Sequence, residues 1–383
     1  MITVLTIGYG KNTFDAANSE RVRLAACARR VKALHMVIFT RMQDGVEDVR
    51  DGNLYLYPTN ARTRFGMLIR AYRSGAEILR NRNDGPWLIS TQDPFETGLV
   101  GYLLHLRYGV PLQVQEHGDF FGTPWWRKET MLNRVRYLFG VWLVRRASCV
   151  RTVSKRAREH LESIGVSRPR VSVLSVATDI NLFMQKESVS ANEDLRAKYP
   201  QENLFVLGVG RLVRQKRFDL LIKAFAGMKH PSARLVIIGS GPEEMRLKDI
   251  AHSHDVSDRV SFIPWTNHLS VYLQQADIFV LSSAYEGWAR IILEAMASGI
   301  PSVVTEVGCV GEVFLDAAHG RVVPVGDGDA LTAALRELAE NPSLRAKYGA
   351  AAQEAVRAYA DHQKPYAEAW AELMERCGTT GRV

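Results

Sequence analysis

Cysteine is scarce in this 383-residue sequence, long apolar runs are missing and nothing repeats, and each shortage narrows what the chain can be. The four cysteines, Cys27, Cys149, Cys309 and Cys377, stand far apart. No pair has metal-ligand spacing, which argues against a cysteine-built metal module, and nothing suggests a disulfide framework. Buried structural thiols in a reducing cytoplasm are the expectation. The longest apolar stretches, such as 138–144, run about eight residues, well short of the ~20 needed to span a bilayer. The amino terminus, Met1-Ile-Thr-Val-Leu-Thr-Ile7, lacks a basic start and a small-residue cleavage site, so it reads as a buried first strand and not as a signal peptide. There is no low-complexity tract and no repeat of solenoid length.

What is present is a globular composition, 46% apolar and 23% charged. The length predicts two domains of roughly 150–200 residues each. Charge is unevenly spread. Residues 1–190 carry 28 Lys and Arg against 17 Asp and Glu, a net of +11, while the remainder is slightly acidic. A basic first half suits an anionic membrane surface, a phosphorylated acceptor or a nucleic acid, and equally a solvated face with no partner.

Strand-length apolar runs at 2–7, 35–40, 53–57, 87–91, 111–116, 148–153 and 171–176 alternate with helical patterns at 17–32, 62–80, 96–108 and 129–146. This alternation predicts βαβ units and a parallel sheet. A polar segment, 180–203, reads as a linker running into a short helix. A second alternation follows, with strands at 204–209, 234–238, 259–263, 277–281 and 301–304 and helices at 218–228, 243–254, 268–275 and 290–298. The expected fold class is therefore α/β, two Rossmann-like domains facing across a cleft. Their boundaries are 1–185 and 186–360, and an amphipathic helix over 361–383 packs back on the first. Ligands of open α/β sheets bind at the carboxyl ends of strands, so two facing sheets would bring a donor to an acceptor.

The strongest motif is Glu286-Gly-Trp-Ala-Arg-Ile-Ile-Leu-Glu294, followed by Ala295-Met-Ala-Ser-Gly-Ile-Pro301. It places a turn and a helix start near Arg290 directly after a strand. Free amides at a helix start form an anion site suited to phosphate. Glu286 and Glu294 flank that site, and carboxylates there would accept hydrogen bonds from sugar hydroxyls. Gly208-Val-Gly-Arg-Leu-Val-Arg-Gln-Lys216 follows another strand, with Arg211 and Lys216 suited to a diphosphate. Ile238-Gly239-Ser-Gly241-Pro242 is a glycine turn that lets a ligand approach the backbone closely. Weighed against these roles are plainer ones: a helix-end charge pair, a solvated basic loop and a tight turn.

Together, Gly210-Arg211 to Lys216, Gly239 to Pro242 and Glu286 to Glu294 resemble the donor domain of GT-B glycosyltransferases of family 4. The match covers about 205–315 strongly and the rest in outline. The resemblance implies that Arg211 and Lys216 neutralise a donor diphosphate, with Gly210 beside them. It implies further that Glu286 holds the donor sugar and Glu294 the ribose, that the amides of Ala289, Arg290 and Ile291 hold phosphate, and that Ile263 and Trp265 lie by the base. It also implies retention of anomeric configuration with no metal and no separate cofactor. Two departures stand out: the family often has glycine where Ala289 and Arg217 stand.

The first half says less. Gln115-Glu-His117-Gly118-Asp119 is similar to the family's histidine loop, making His117 a candidate hydrogen-bond donor to the sugar or proton relay, with Asp119 beside it. The loop Gly8-Tyr-Gly-Lys-Asn12 lacks the family's usual double glycine, and Gly10 and Lys11 are its acceptor-side candidates. Two basic aromatic stretches, 62–73 and 120–128 with the helix after it, suit either an anionic membrane interface or a core-facing helix with arginines in water.

The leading function is a retaining hexosyltransferase, with catalytic candidates His117, Glu286, Arg211 and Lys216. It would move a hexose from a nucleotide-diphosphate sugar to a glycan or lipid-linked acceptor in cell-surface polysaccharide or glycolipid synthesis. The expected location is cytoplasmic, with the inner face of the cell membrane as the peripheral alternative. A non-hydrolysing sugar-nucleotide epimerase has the same architecture. A basic nucleic-acid binder is the third reading; it lacks any recognition signature and leaves the paired carboxylates unexplained, so no nucleic-acid partner is expected.

Overall fold

The computed structural model describes residues 1–82, 85–176 and 178–380. These divide into two units, Met1–Ser175 with Lys364–Val383, and Val176–Gln363. The first boundary thus falls at Ser175, ahead of the expected 185, because 176–185 joins the second unit. There the helix Asn181–Met184 packs beside Arg290–Ala297, and Ser298 donates to the Phe183 carbonyl. The last three residues of the expected 361–383 tail lie outside the described residues.

The first unit holds strands β1 (Thr3–Gly8), β2 (Ala33–Ile38), β3 (Val49–Asp51), β4 (Leu54–Pro58), β5 (Trp87–Thr91), β6 (Leu112–Glu116), β7 (Cys149–Thr152) and β8 (Val171–Val173). Its helices are α1 (Ser19–Ala28), α2 (Arg64–Arg80), α3 (Glu96–Tyr108), α4 (Pro124–Glu129), α5 (Met131–Val144) and α6 (Lys155–Ser163). The sheet order is β3-β4-β2-β1-β5-β6-β7-β8, parallel except for the β3–β4 hairpin. Side chains alternate across it. Leu5, Ile7, Val37 and Ile89 pack under α2, α3 and α5, while Ile2, Val4, Leu34 and Met36 face α1. The 129–146 helical pattern is broken at Thr130, whose extended backbone ends α4 and whose hydroxyl caps α5 through the Asn133 amide.

The second unit begins with the short helices α7 (Asn181–Met184) and α8 (Leu195–Lys198) inside the expected linker. It continues with β9 (Leu204–Val209), α9 (Phe218–Met228), β10 (Ala233–Ile238), α10 (Glu244–Ser253), β11 (Val260–Ile263), α11 (Leu269–Gln275), β12 (Ile278–Leu281), α12 (Arg290–Ala297), β13 (Ser302–Thr305), β14 (Gly320–Val323), α13 (Gly328–Glu340) and α14 (Pro342–Asp361). All pairings are parallel, in the order β11-β10-β9-β12-β13-β14. Strands buried on both faces explain the unbroken apolar runs, such as Leu235 to Ile238.

The last helix, α15 (Tyr366–Thr380), belongs to the first unit. It buries Trp370, Leu373 and Met374 among Ile2, Leu34 and Leu88, and the Ile2 amide donates to Glu375 Oε1 at 2.8 Å. It also corrects the expectation of four isolated thiols. Cys377 of α15 and Cys149 of β7 form a disulfide with Cα atoms 6.0 Å apart, and only Cys27 and Cys309 are free, both buried. The two partners lie 228 residues apart, and only the docking of α15 brings them together.

Candidate active site

In the second sheet the chain runs outward from β9 to β10 and β11, then returns to place β12 on the other side of β9. The strand order therefore reverses between β9 and β12, and the loops after their carboxyl ends flank a natural ligand crevice. Those loops are Gly210 to Arg217 and Ser282 to Ala289, which carry the expected Gly210, Arg211, Lys216, Glu286 and Ala289, with Arg290, Ile291 and Glu294 following in α12.

The glycines are required by space. Gly210 and Gly239 have φ of 150° and 149°, and a Cβ on Gly239 would run into the Gly210 carbonyl oxygen. A Cβ on Gly241 would likewise strike the Leu212 backbone. The Gly239 amide donates to the Ile263 carbonyl at 2.8 Å, bringing Ile263 to the same edge, and Trp265 beyond it is largely exposed. The two departures from the family pattern also have a physical meaning. Arg217 (φ 50°) and Ala289 (φ 59°) both occupy the left-handed region, where glycine is least strained. Arg217 is steadied by Asp219 at 3.0 Å.

Ala289 is the residue before α12, and no side chain caps this helix start. The amides of its first turn, including Arg290 and Ile291, therefore point out of a positive helix end. Ile292, Leu293 and Met296 fix the helix by burial, each worth about 1.5–3 kcal/mol. One turn in, Glu294 is buried with Arg290 Nη2 at 3.4 Å. Desolvation raises its pKa, opposed by Arg290 and then Lys216.

Lys216 Nζ stands 2.7 Å from Glu286 Oε1, which also accepts from Ser283 Oγ at 2.8 Å. The loops are locked further, since the Ala284 amide donates to the Gln215 carbonyl and Gln215 Nε2 to the Tyr285 carbonyl. Arg211 is different. It is exposed and has no partner among the described residues, a cation at the mouth of the crevice with nothing to neutralise it. The resemblance implies separate tasks for Lys216 and Glu286, whereas the fold couples them.

In the first unit, His117 follows β6. Its Nε2 lies 2.8 Å from Gln115 Oε1, which also accepts from Arg151 Nη1 at 2.8 Å, while Gln115 Nε2 donates to Ser90 Oγ. Gln115 Oε1 is thus the acceptor, so His117 carries its proton on Nε2 and leaves Nδ1 as an acceptor. Burial and then Arg151 push its pKa down to about 3, so the ring is neutral and weakly basic. A hydrogen bond from Nδ1 to a sugar is therefore not available in this tautomer; the ring can accept one from a hydroxyl instead. Asp119 (φ 52°) accepts from or shares a proton with His160 Nδ1 at 2.7 Å. Lys11 lies 3.4 Å from Asp44, and Gly10 has φ 115°.

Three further titratable groups stand near these, of which the sequence marked only Glu116, as an acid or base an epimerase would need. Glu116 is buried, accepts from the Gly118 and Phe120 amides and Thr152 Oγ1, and is raised to about 7 by desolvation and then by Asp119. Asp93 is raised to about 6 by burial while accepting from the Phe95 amide. Tyr9, near Asp93 and Glu96, is raised as well, first by desolvation. Position is the signal that Glu116 and Asp93 share: Glu116 closes β6 and Asp93 stands two residues beyond β5, both at carboxyl ends of strands.

Sequence profiles of two families, described as "Glycosyl transferases group 1" and "Glycosyl transferase 4-like domain", match residues 191–355 and 19–177, one for each unit. The chain belongs to the GT4-like glycosyltransferases of GT-B fold. Among solved structures, this glycosyltransferase chain is similar to sucrose-phosphate synthase from Thermosynechococcus elongatus (TM-score 0.76, 21% identity, 98% of each chain). It is also similar to HepE of Anabaena in complex with UDP and glucose (TM-score 0.73, 19% identity, 98% of this chain and 100% of that one). At such identities the likeness concerns the fold. Among curated proteins it is 28% identical over 186 residues to the lipopolysaccharide core biosynthesis glycosyltransferase LpsD of Rhizobium meliloti, covering 49% of this chain and 53% of that protein. The matched stretch spans about half the length of such relatives. Within this glycosyltransferase fold, the residues at the β9–β12 reversal sit in the profile-matched second unit. No helix among the described residues is long and apolar enough to cross a membrane.

Proposed function

We propose that the chain is a retaining glycosyltransferase that moves a hexose from a nucleotide-diphosphate sugar to a glycan or lipid-linked acceptor in cell-surface polysaccharide or lipopolysaccharide synthesis. One observation carries the reading: a partnerless Arg211, the Lys216–Glu286 pair and the uncapped start of α12 converge where the strand order reverses. Phosphate oxygens would take Arg211, Lys216 and the α12 amides. Glu286, displaced from Lys216, would accept from sugar hydroxyls, and Glu294 from the ribose. In transfer, the bond from the anomeric carbon to the diphosphate oxygen breaks as the bond to the acceptor oxygen forms on the same face. The acceptor proton passes to the departing diphosphate, whose charge is met by cations and amides already in place. No metal or cofactor is assigned a role, so chelation with EDTA is expected to leave turnover unchanged.

The similarity to HepE, solved with UDP and glucose, makes UDP the first base to try. UDP-, GDP-, ADP- and TDP-sugars would be titrated against the chain, slow hydrolysis followed, and Glu294→Ala used as control. Selective binding of one donor, lost in the variant, is the expected result. A folded chain that binds none of them overturns the reading, and donor interconversion without acceptor would favour the epimerase.

The lipid side of the proposal rests on α4 and α5. The core face of α5 is Gly140, Leu143 and Val144. Met131, Leu132, Val135 and Leu138 are instead exposed, at 71%, 53%, 63% and 69%. Arg134, Arg145, Arg146 and Lys128 stand exposed around them. An outward apolar stripe edged by cations fits the interface of an anionic bilayer.

A further inference from the structure

The first sheet has a second concave region. The β2-to-β4 connection carries the β3 hairpin and no crossover helix, so the sheet face beside α2 lacks the cover a βαβ unit would give it. A cavity of about 590 Å³ remains there, within the range of small-molecule sites. It runs from the amino ends of β1, β2 and β5, which Thr3, Ala33 and Trp87 on its wall begin, along β4 to Tyr57 and Pro58. The loop that bears His117 leaves the carboxyl end of β6.

Its wall is aromatic and ordered. The ring of His35 lies nearly parallel to those of Tyr55, Tyr57 and Trp87, at interplanar angles of 14°, 12° and 20°. His35 Nδ1 and Tyr57 Oη are hydrogen-bonded at 3.1 Å, and burial pushes His35 down to about 4, so the wall is uncharged at neutral pH. Arg50 lies against Tyr55 at 5.3 Å. The polar lining is Asp48, Glu77, Asn81, Ser74 and Lys32.

This chemistry selects among ligands. A phosphate-bearing ligand would meet two carboxylates, Asp48 and Glu77, against one cation, Lys32, beside a neutral imidazole. A purely apolar ligand would leave the acids, amide and hydroxyls of that lining unsatisfied. A neutral sugar satisfies both parts: its C–H groups suit the electron-rich aromatic surface, and its hydroxyls suit Asp48, Glu77 and Asn81. We propose that this shelf is a saccharide-binding site, separate from the donor site, for a short neutral oligosaccharide. It anchors glycan on the first unit, on the sheet face beside α2, and stands whether or not the donor reading does.

The test titrates maltotetraose, cellotetraose and chitotetraose singly into the full chain, by calorimetry and by saturation-transfer NMR. At least one should bind. Tyr55→Ala should weaken it about tenfold, the scale of one lost aromatic contact. The double variant Asp48→Ala/Glu77→Ala, which changes only exposed side chains, should weaken it comparably and decides the matter if Tyr55→Ala does not fold. Excess UDP should leave binding unchanged. Failure of all three sugars to bind, binding indifferent to the folded variants, or displacement by UDP would each overturn the proposal.

Discussion

Arg211 and Lys216 differ in what they touch, and that difference should be measurable. Arg211→Ala removes an exposed, partnerless cation, so it should weaken nucleotide-sugar binding while leaving the melting temperature unchanged. Charge-assisted hydrogen bonds contribute about 1.5–3 kcal/mol, which is about ten- to a hundredfold in affinity. Lys216→Ala should weaken binding comparably and also lower stability, because it strips Glu286 of a cation at 2.7 Å in a mostly buried setting. Equal thermal stability of the two variants would contradict the coupling. Glu116 sets a pH dependence. Its folded pKa of about 7 exceeds the ordinary 4.5, so between those values the folded chain retains a proton that the unfolded chain releases. Its own contribution to stability should fall as pH rises across that window, by about 3 kcal/mol, while the lowered His117 and His35 contribute with the opposite sign below about pH 6.5. Glu116→Gln cannot ionise, so in urea titrations at pH 5, 6 and 7 the stability of the wild type relative to the variant should fall with rising pH, a difference in which the unchanged Asp93, His117 and His35 cancel. A difference that does not vary with pH would contradict that contribution.

At the scale of elements, α5 is the helix whose outward face only the fold shows. Its sequence admitted a core helix or an interfacial one. Exposure of Leu132, Val135 and Leu138 shows which side chains face outward. The chain should float with vesicles containing about a third phosphatidylglycerol, a fraction chosen to give a strongly negative surface. Leu132→Glu with Leu138→Glu should abolish flotation without loss of folding, and high salt should weaken it. Vesicle binding that survives the double variant would shift attention to exposed Phe65 and Ile69 on α2. At α12 the sequence was more informative. Glycine turns, a strand end and an amphipathic octet placed the helix start at Arg290, where the structure has it. That the residue before it needs a left-handed backbone became visible only with its φ of 59°.

Across the whole chain, the disulfide ties the carboxyl-terminal helix to the first unit. Cys377→Ser, or reduction, should destabilise that unit by about 2–4 kcal/mol, read as a first-unit denaturation midpoint below that of the oxidised wild type. Identical midpoints with and without reductant would show that α15 is held by Trp370, Leu373 and Met374 alone. Such long-range facts mark the limit of the linear reading. Apolar periodicity and turn residues are local, and they determined the alternation of strands and helices, the two α/β units and the donor motifs at strand ends. They also gave the acidic spacing from Glu286 to Glu294. Periodicity carries no distance between segments remote in the chain. The order β11-β10-β9-β12 with its reversal, the contact between Lys216 and Glu286, the proton placement on His117 and the pairing of Cys149 with Cys377 were decided only by tertiary structure. So was the uncovered aromatic shelf beside α2, because each of these depends on which surfaces packing brings together and which it leaves bare.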